Sequence, residues 1–193
     1  MPAQIFESFV RERTGKGQRS FSCSFYFYLR GMSVILLLGT NLGDRLLQLA
    51  KCREEIEMRI GEIIKTSAVY ETEAWGNAAQ PSFYNQALEA RCGDSPVGLL
   101  EKILDVEKQM GRIRLEKWGA RLIDVDILYM EEQVVSLPHL VIPHPLLAER
   151  RFALTPLAEQ WPDFVHPVLK KTNRELEAIC KDTLRCARID KGI

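Results

Sequence analysis

Ser33-Val-Ile-Leu-Leu-Leu38-Gly39 is a short apolar run closed by glycine, and Leu46, Leu49, Ala50, Ile56 and Ile60 follow it at helical spacing. An unbroken apolar run of this length reads as a strand buried on both faces. Apolar residues three and four apart, with charges between them, read as an amphipathic helix. The chain therefore opens its regular part with a central strand feeding a helix. Outward from there, Ile63 to Thr72 is β-branched and reads as a second strand, and Phe83 to Arg91 as a third. Ser95-Pro96 supplies an N-cap with proline at the first helical position. Leu99, Leu100, Ile103, Leu104 and Met110 carry that second helix to Gly111. Leu122 to Met130 is a fourth strand, Val134-Val135 with Leu140 to Ile142 a hairpin, and short helices follow at Phe152 to Glu159 and Asn173 to Lys181. The order β-α-β-β-α-β predicts an α+β, ferredoxin-like sandwich: an antiparallel sheet with helices on one face, plus a C-terminal extension.

The chain has 193 residues, 46 % of them hydrophobic and 27 % charged, which is ordinary for one globular domain. Its 26 basic and 26 acidic residues cancel, which argues against a polybasic nucleic-acid binder. The balance is uneven along the chain. Residues 1–31 hold Arg11, Arg13, Lys16, Arg19 and Arg30 against Glu7 and Glu12, leaving 21 basic and 24 acidic residues in 32–193. Residues 1–31 are polar and glycine-bearing in their middle and are expected to be a disordered tail or an upstream start, with residues 32–193 as the domain. An arginine- and serine-bearing transit segment is the alternative. No stretch approaches the length of a membrane span. Cys23, Cys52, Cys92, Cys180 and Cys186 form no C-x-x-C pair, so free thiols in a reducing, cytoplasmic compartment are expected.

The strongest chemical signal is Arg121-Leu-Ile-Asp124-Val-Asp126-Ile-Leu-Tyr129. Side chains alternate along a strand, so Asp124 and Asp126 share a face with Cα atoms about 6.6 Å apart. Ile123, Val125, Ile127 and Tyr129 are the opposite, core-facing phase. Two carboxylates this close repel each other unless a cation sits between them, and magnesium suits all-oxygen ligation. A solvated strand face is the plain alternative. Lys108, Arg112, Arg114, Lys117 and Arg121 put five cations just ahead of the pair, opposed by Glu116 alone. Guanidinium forks match phosphate oxygens, so the combination suggests a metal–polyphosphate site. Phe83 and Asn85 share another strand face and could offer a ring plane and an amide to a flat heterocycle. Gly39-Thr-Asn-Leu-Gly43 is only a weak match to a phosphate loop, lacking its lysine and spacing. His166, next to a proline, reads as structural. A ferredoxin-like RNA-binding module, or another nucleotide-using phosphotransferase, remains open on these residues alone.

Taken together, Lys117-Trp-Gly-Ala-Arg121-Leu-Ile-Asp124-Val-Asp126-Ile-Leu128, Gly39-Thr-Asn-Leu-Gly43, Tyr70-x-Thr72, Phe83-x-Asn85 and Val141-Ile-Pro-His144-Pro145 resemble the 6-hydroxymethyl-7,8-dihydropterin pyrophosphokinase family from about Ser33 onward. The resemblance implies a ferredoxin-like enzyme of folate biosynthesis that moves pyrophosphate from ATP to the pterin hydroxymethyl group, giving AMP. By position it implies that Asp124 and Asp126 bind two magnesium ions with ATP. It implies that Arg112, Arg114, Trp118 and Arg121 serve catalysis, and that Glu107, Arg112, Arg121, Ile127, His144 and Arg150 contact ATP. Thr72, Trp75, Phe83, Asn85 and Phe152 would hold the pterin. The partners implied are these two small molecules, without nucleic acid or membrane, in a monomer. The sequence departs from the family pattern in carrying Phe83 where tyrosine is common and Glu73-Ala-Trp75 in place of a proline-rich stretch. Further departures are Pro145 after His144, Leu104 and His139 at positions that can be polar, and an Arg114-to-Trp118 spacing one residue short of some members.

Overall fold

The structure is a computed structural model that describes residues 31–75, 80–111 and 121–189. The expectations for the N-terminal tail and for Arg112, Arg114, Lys117 and Trp118 lie outside those residues. The central strand, β1 (Met32–Thr40), is buried without interruption from Val34 to Thr40. It pairs antiparallel with β4 (Phe83–Cys92) on one side and β5 (Asp124–Met130) on the other. The main sheet runs β5-β1-β4-β3-β8, with β2 (Ile63–Thr66) also on β4, β3 being Val69–Thr72 and β8 Cys186–Ile189. β6 (Val135–Leu137) and β7 (Leu140–Ile142) form the expected hairpin.

Helix α1 (Arg45–Arg59) starts where Asp44 accepts the Leu47 N–H at 3.1 Å, after Gly43 has turned the chain at φ +67°. That left-handed turn is open to glycine at little cost. Helix α2 (Pro96–Gln109) starts with Ser95 accepting from Gly98 N and Pro96 in the first turn, as the sequence predicts. Both lie on one face of the sheet. There Leu49, Ile56, Leu99, Ile103 and Val106 pack with Val34, Leu36, Leu38, Ile123, Val125 and Ile127 into the main core.

The C-terminal extension covers the other face: α3 (Arg151–Gln160) and α4 (Asn173–Ile179) pack Leu154, Leu157 and Leu176 there against Ile35, Leu37 and Ala87. The structure corrects two sequence readings and adds a strand. Ile63 to Thr72 is two strands, because Ser67 puts its hydroxyl, at 3.0 Å, on the Ala87 N–H in place of a backbone carbonyl. Tyr129 belongs to the second core, with its neighbour Leu128. Ile35 pairs with Tyr129 but Leu36 with Ile127, so a bulge at Leu128 shifts the phase of β5. Finally β8, too short and mixed to show a period, adds an edge strand beside β3. Among the described residues no helix is long and apolar enough to cross a membrane. His166 is buried and accepts the Val168 and Leu169 N–H groups on Nδ1, a structural role as expected.

Candidate active site

The face that carries α3 and α4 is covered at Ile35 and Ala87, and the site lies farther along β1, at Leu37 and Gly39. Register assembles it. Gly39 of β1 pairs with Asn85 of β4 and with Asp124 of β5, Leu37 pairs with Asp126, and Thr72 of β3 pairs with Phe83. Directly paired residues point to the same side of a sheet, so Thr72, Phe83, Asn85, Asp124 and Asp126 form one surface with Gly39 at its centre. A Cβ on Gly39 would stand 2.9 Å from Asn85 Oδ1, so the bare backbone here makes room for the amide. The surface floors a cavity of about 160 Å³, lined as well by Glu73, Trp75, Gln80, Arg121, His144, Arg150 and Phe152.

One half of the cavity suits a flat, hydrogen-bonding ring. Asn85, buried, donates from Nδ2 to Thr72 Oγ1 at 2.7 Å, which orients the amide and leaves its carbonyl toward the cavity. Phe83, Phe152 and Trp75 supply ring faces around it. The other half is charged. Arg121 forms an ion pair with Asp124, and Arg150 Nη1 stands 3.8 Å from Asp126 Oδ2. Arg150 also lies over the rings of Trp75, at 4.9 Å, and Phe152, at 5.6 Å, so one buried guanidinium touches both halves. Burial, then the neighbouring Asp124 carboxylate, pushes the Asp126 carboxyl up, with Arg150 and Arg121 opposing. His144 is pushed down to about 4, first by burial and then by Arg150, so it is neutral at physiological pH. Its Nδ1 accepts the Leu146 N–H at 3.2 Å, which places the ring proton on Nε2.

The carboxylate pair fits a divalent cation: two hard oxygen donors sit on one face, and their mutual repulsion is what a cation relieves. Among the described residues no group of three or more His, Cys, Asp or Glu gathers.

Of the residues singled out in the sequence, Thr72, Trp75, Phe83, Asn85, Arg121, Asp124, Asp126, His144, Arg150 and Phe152 all meet at this cavity. Glu107 does not line it. Buried beneath β5, its Oε1 accepts the Val125 N–H at 2.9 Å and so holds the backbone between the two aspartates. Ile127 is likewise away from the cavity, its side chain in the core under α1 and α2. Gly39, Leu37, Glu73 and Gln80 line the cavity without having been singled out as contacts. Leu37 and Gly39 share a phase of β1, but only the pairing with Asp126 and Asn85 gives that phase a chemical meaning.

Residues 35–162 match the model of the 7,8-dihydro-6-hydroxymethylpterin-pyrophosphokinase family. The chain belongs to this family. It is 42 % identical over 145 residues to the 2-amino-4-hydroxy-6-hydroxymethyldihydropteridine pyrophosphokinase of Aquifex aeolicus, covering 75 % of this chain and 90 % of that one. The pyrophosphokinase of the same name from Methylorubrum extorquens is 42 % identical over 129 residues, covering 66 % of this chain and 82 % of that one. Among solved structures, Plasmodium falciparum HPPK-DHPS with pterin and p-hydroxybenzoate shares the fold at a TM-score of 0.62 and 20 % identity, over 76 % of this chain. The chain spans 41 % of that longer protein. The family match covers both halves of the cavity, from β1 through Arg150 and Phe152, and leaves α4 and β8 outside it.

Proposed function

We infer that this chain transfers pyrophosphate from ATP to the hydroxymethyl group of 6-hydroxymethyl-7,8-dihydropterin, forming AMP and the pterin diphosphate in folate biosynthesis. Beyond family membership, one observation carries the reading: a ring-binding half and a polyphosphate-binding half share one sheet surface, meeting at Gly39. The pterin lies between Phe83 and Phe152, with its edge on Asn85 and Thr72. The triphosphate lies over Asp124 and Asp126, against Arg121, Arg150 and His144. This arrangement also disfavours a single-stranded RNA module, whose stacking surface would be cationic where this one carries paired aspartates.

The reaction forms a bond from the pterin hydroxyl oxygen to the β-phosphorus and breaks the bond from that phosphorus to the α–β bridging oxygen, releasing AMP. Asp124 and Asp126 are the residues that would hold magnesium, in two ions. When bound, these ions neutralise phosphate charge and align the chain of phosphates. Arg121 and Arg150 bring fixed positive charge to the oxygens that gain charge in transfer, and neutral His144 donates from Nε2. Phe83, Asn85 and Phe152 hold the hydroxyl in line, which for phosphoryl chemistry is most of the catalysis. Arg112, Arg114 and Trp118 are assigned to the same catalytic role, and Glu107 supports the nucleotide side through Val125. We assign the chain as a cytoplasmic monomer.

The test is AMP formation from magnesium and ATP, with and without the reduced pterin alcohol. AMP released one-for-one with the pterin diphosphate, and only when the alcohol is present, is the expected result. ADP as product, or AMP without the alcohol, would overturn the assignment.

A further inference from the structure

The turn Gly39-Thr-Asn-Leu-Gly43 is too unlike a phosphate loop to be read as one, and in the structure its asparagine is turned away from solvent. Asn41 is 3 % exposed. Its backbone N–H donates to Arg121 O at 3.2 Å, and its Oδ1 accepts the Arg121 N–H at 2.8 Å. Its Nδ2 donates to Gln80 Oε1 at 3.2 Å and to Pro81 O at 3.4 Å. The amide thus makes three hydrogen bonds, one accepted and two donated, inside a space where an unmade one is expensive. Aspartate would set an acceptor against two acceptors, and leucine would satisfy none.

The partners of Asn41 belong to different halves of the site. Asn41 holds the main chain of Arg121, the residue whose guanidinium pairs with Asp124 on the polyphosphate side. Gln80 lines the cavity and Pro81 leads directly into β4, which begins at Phe83 and carries Asn85. A ligand that holds the Arg121 guanidinium acts on the same residue whose main chain Asn41 holds, and Asn41 in turn holds the entry to the pterin strand. The reverse holds equally, since linkage between two sites is reciprocal.

We propose that Asn41 is a positioning residue that couples the two substrates, so that a nucleotide on Arg121 and Asp124 tightens the hold of Gln80, Phe83 and Asn85 on the pterin. The proposal rests on the assignment of the two halves given above. It assigns Asn41 no contact with either substrate. Its effect is on how much each tightens the other.

The experiment is a binding cycle on the full chain. The pterin alcohol is titrated with and without magnesium and a non-hydrolysable ATP analogue, and the analogue with and without the alcohol. Wild type, Asn41→Ala, Asn41→Asp and Gln80→Ala are compared, with urea unfolding to check that each folds. In wild type the analogue tightens pterin binding at least about fivefold, and the alcohol tightens the analogue by the same factor. In Asn41→Ala and Asn41→Asp the factor falls toward one, while the affinity for the alcohol alone changes less than the factor does. Gln80→Ala, which keeps the Pro81 bond, lowers it partway and decides the matter if the Asn41 variants do not fold. A wild-type factor of one overturns the proposal. So does a factor unchanged in folded variants whose two affinities fall in parallel, the behaviour of a residue that only stabilises. A wild type that binds neither ligand refutes the pyrophosphokinase reading instead.

Discussion

Replacing Asp126 with asparagine should abolish turnover and at the same time make the metal-free protein more stable. The Asp126 carboxyl is raised from 3.8 to about 7, chiefly by burial and next by the charge of Asp124. Because the native state holds this proton more tightly than the unfolded chain, stability of the metal-free wild type falls as pH rises from about 4 to about 7. Above about pH 7 the destabilisation is complete, and below about 4 it is absent. At 1.36 kcal/mol per tenfold in proton affinity, the ceiling is ~4 kcal/mol. The side chain is 32 % exposed, however, and solvent screening brings the expected gain to about 1–2 kcal/mol. For a domain of this size that is about 2–8 °C in Tm. Asparagine keeps the shape of the protonated acid and cannot ionise, so it should show the gain at about pH 8 and lose it on acidification. Urea unfolding without divalent ions, at several pH values, measures this directly. Magnesium with an ATP analogue should then reverse the order, stabilising wild type and leaving the variant behind, while binding of the pterin alcohol alone persists. A variant less stable than wild type at about pH 8, or a gain independent of pH, would refute the account of a carboxyl strained by burial beside Asp124. Near-normal magnesium-dependent activity would refute their role as metal ligands.

Gly39→Ala should weaken pterin binding at least about tenfold with little change in nucleotide affinity, because the new methyl meets Asn85 Oδ1 at 2.9 Å and displaces the amide from Thr72. Titration of the two ligands separately checks this, and equal losses for both would count against it. Arg121→Ala should lower kcat more than it weakens ATP binding, through contacts made in the transition state; steady-state kinetics that show only a raised KM would contradict that. Glu107→Ala strips the Val125 N–H of its buried partner and should cost about 1–3 kcal/mol, read as a lower urea midpoint at unchanged slope.

How much of this was legible in the sequence differs from element to element. The aspartate pair was legible because strand periodicity is local: two residues on, same face. The cap at Ser95-Pro96 was legible for the same reason, since its hydrogen bond closes within three residues. Tyr129 was misread because the bulge at Leu128 is a property of the pairing with β1, which no period within β5 records. Glu107 and Ile127, placed at the nucleotide by resemblance, lie beneath β5 or in the core, where their distances to the cavity depend on how α2 and β5 pack. β8 was invisible because four mixed residues carry no pattern, and only the open edge of β3 makes them a strand.

The amino-acid sequence by itself determined the order of strands and helices, the paired carboxylates with cations ahead of them, and through its motifs the family. These are all relations between residues a few positions apart, where backbone geometry alone decides which side chains share a face. Tertiary structure decided that Thr72, Gly39, Asn85, Asp124, Arg150 and Phe152, which lie between positions 39 and 152, border one cavity. It also decided that Asn41 joins Arg121 to Gln80, a link between residues forty and eighty positions away on either side of the site. Hydrogen-bond register across β1 is the physical reason: it aligns residues remote in sequence, and no local pattern encodes it.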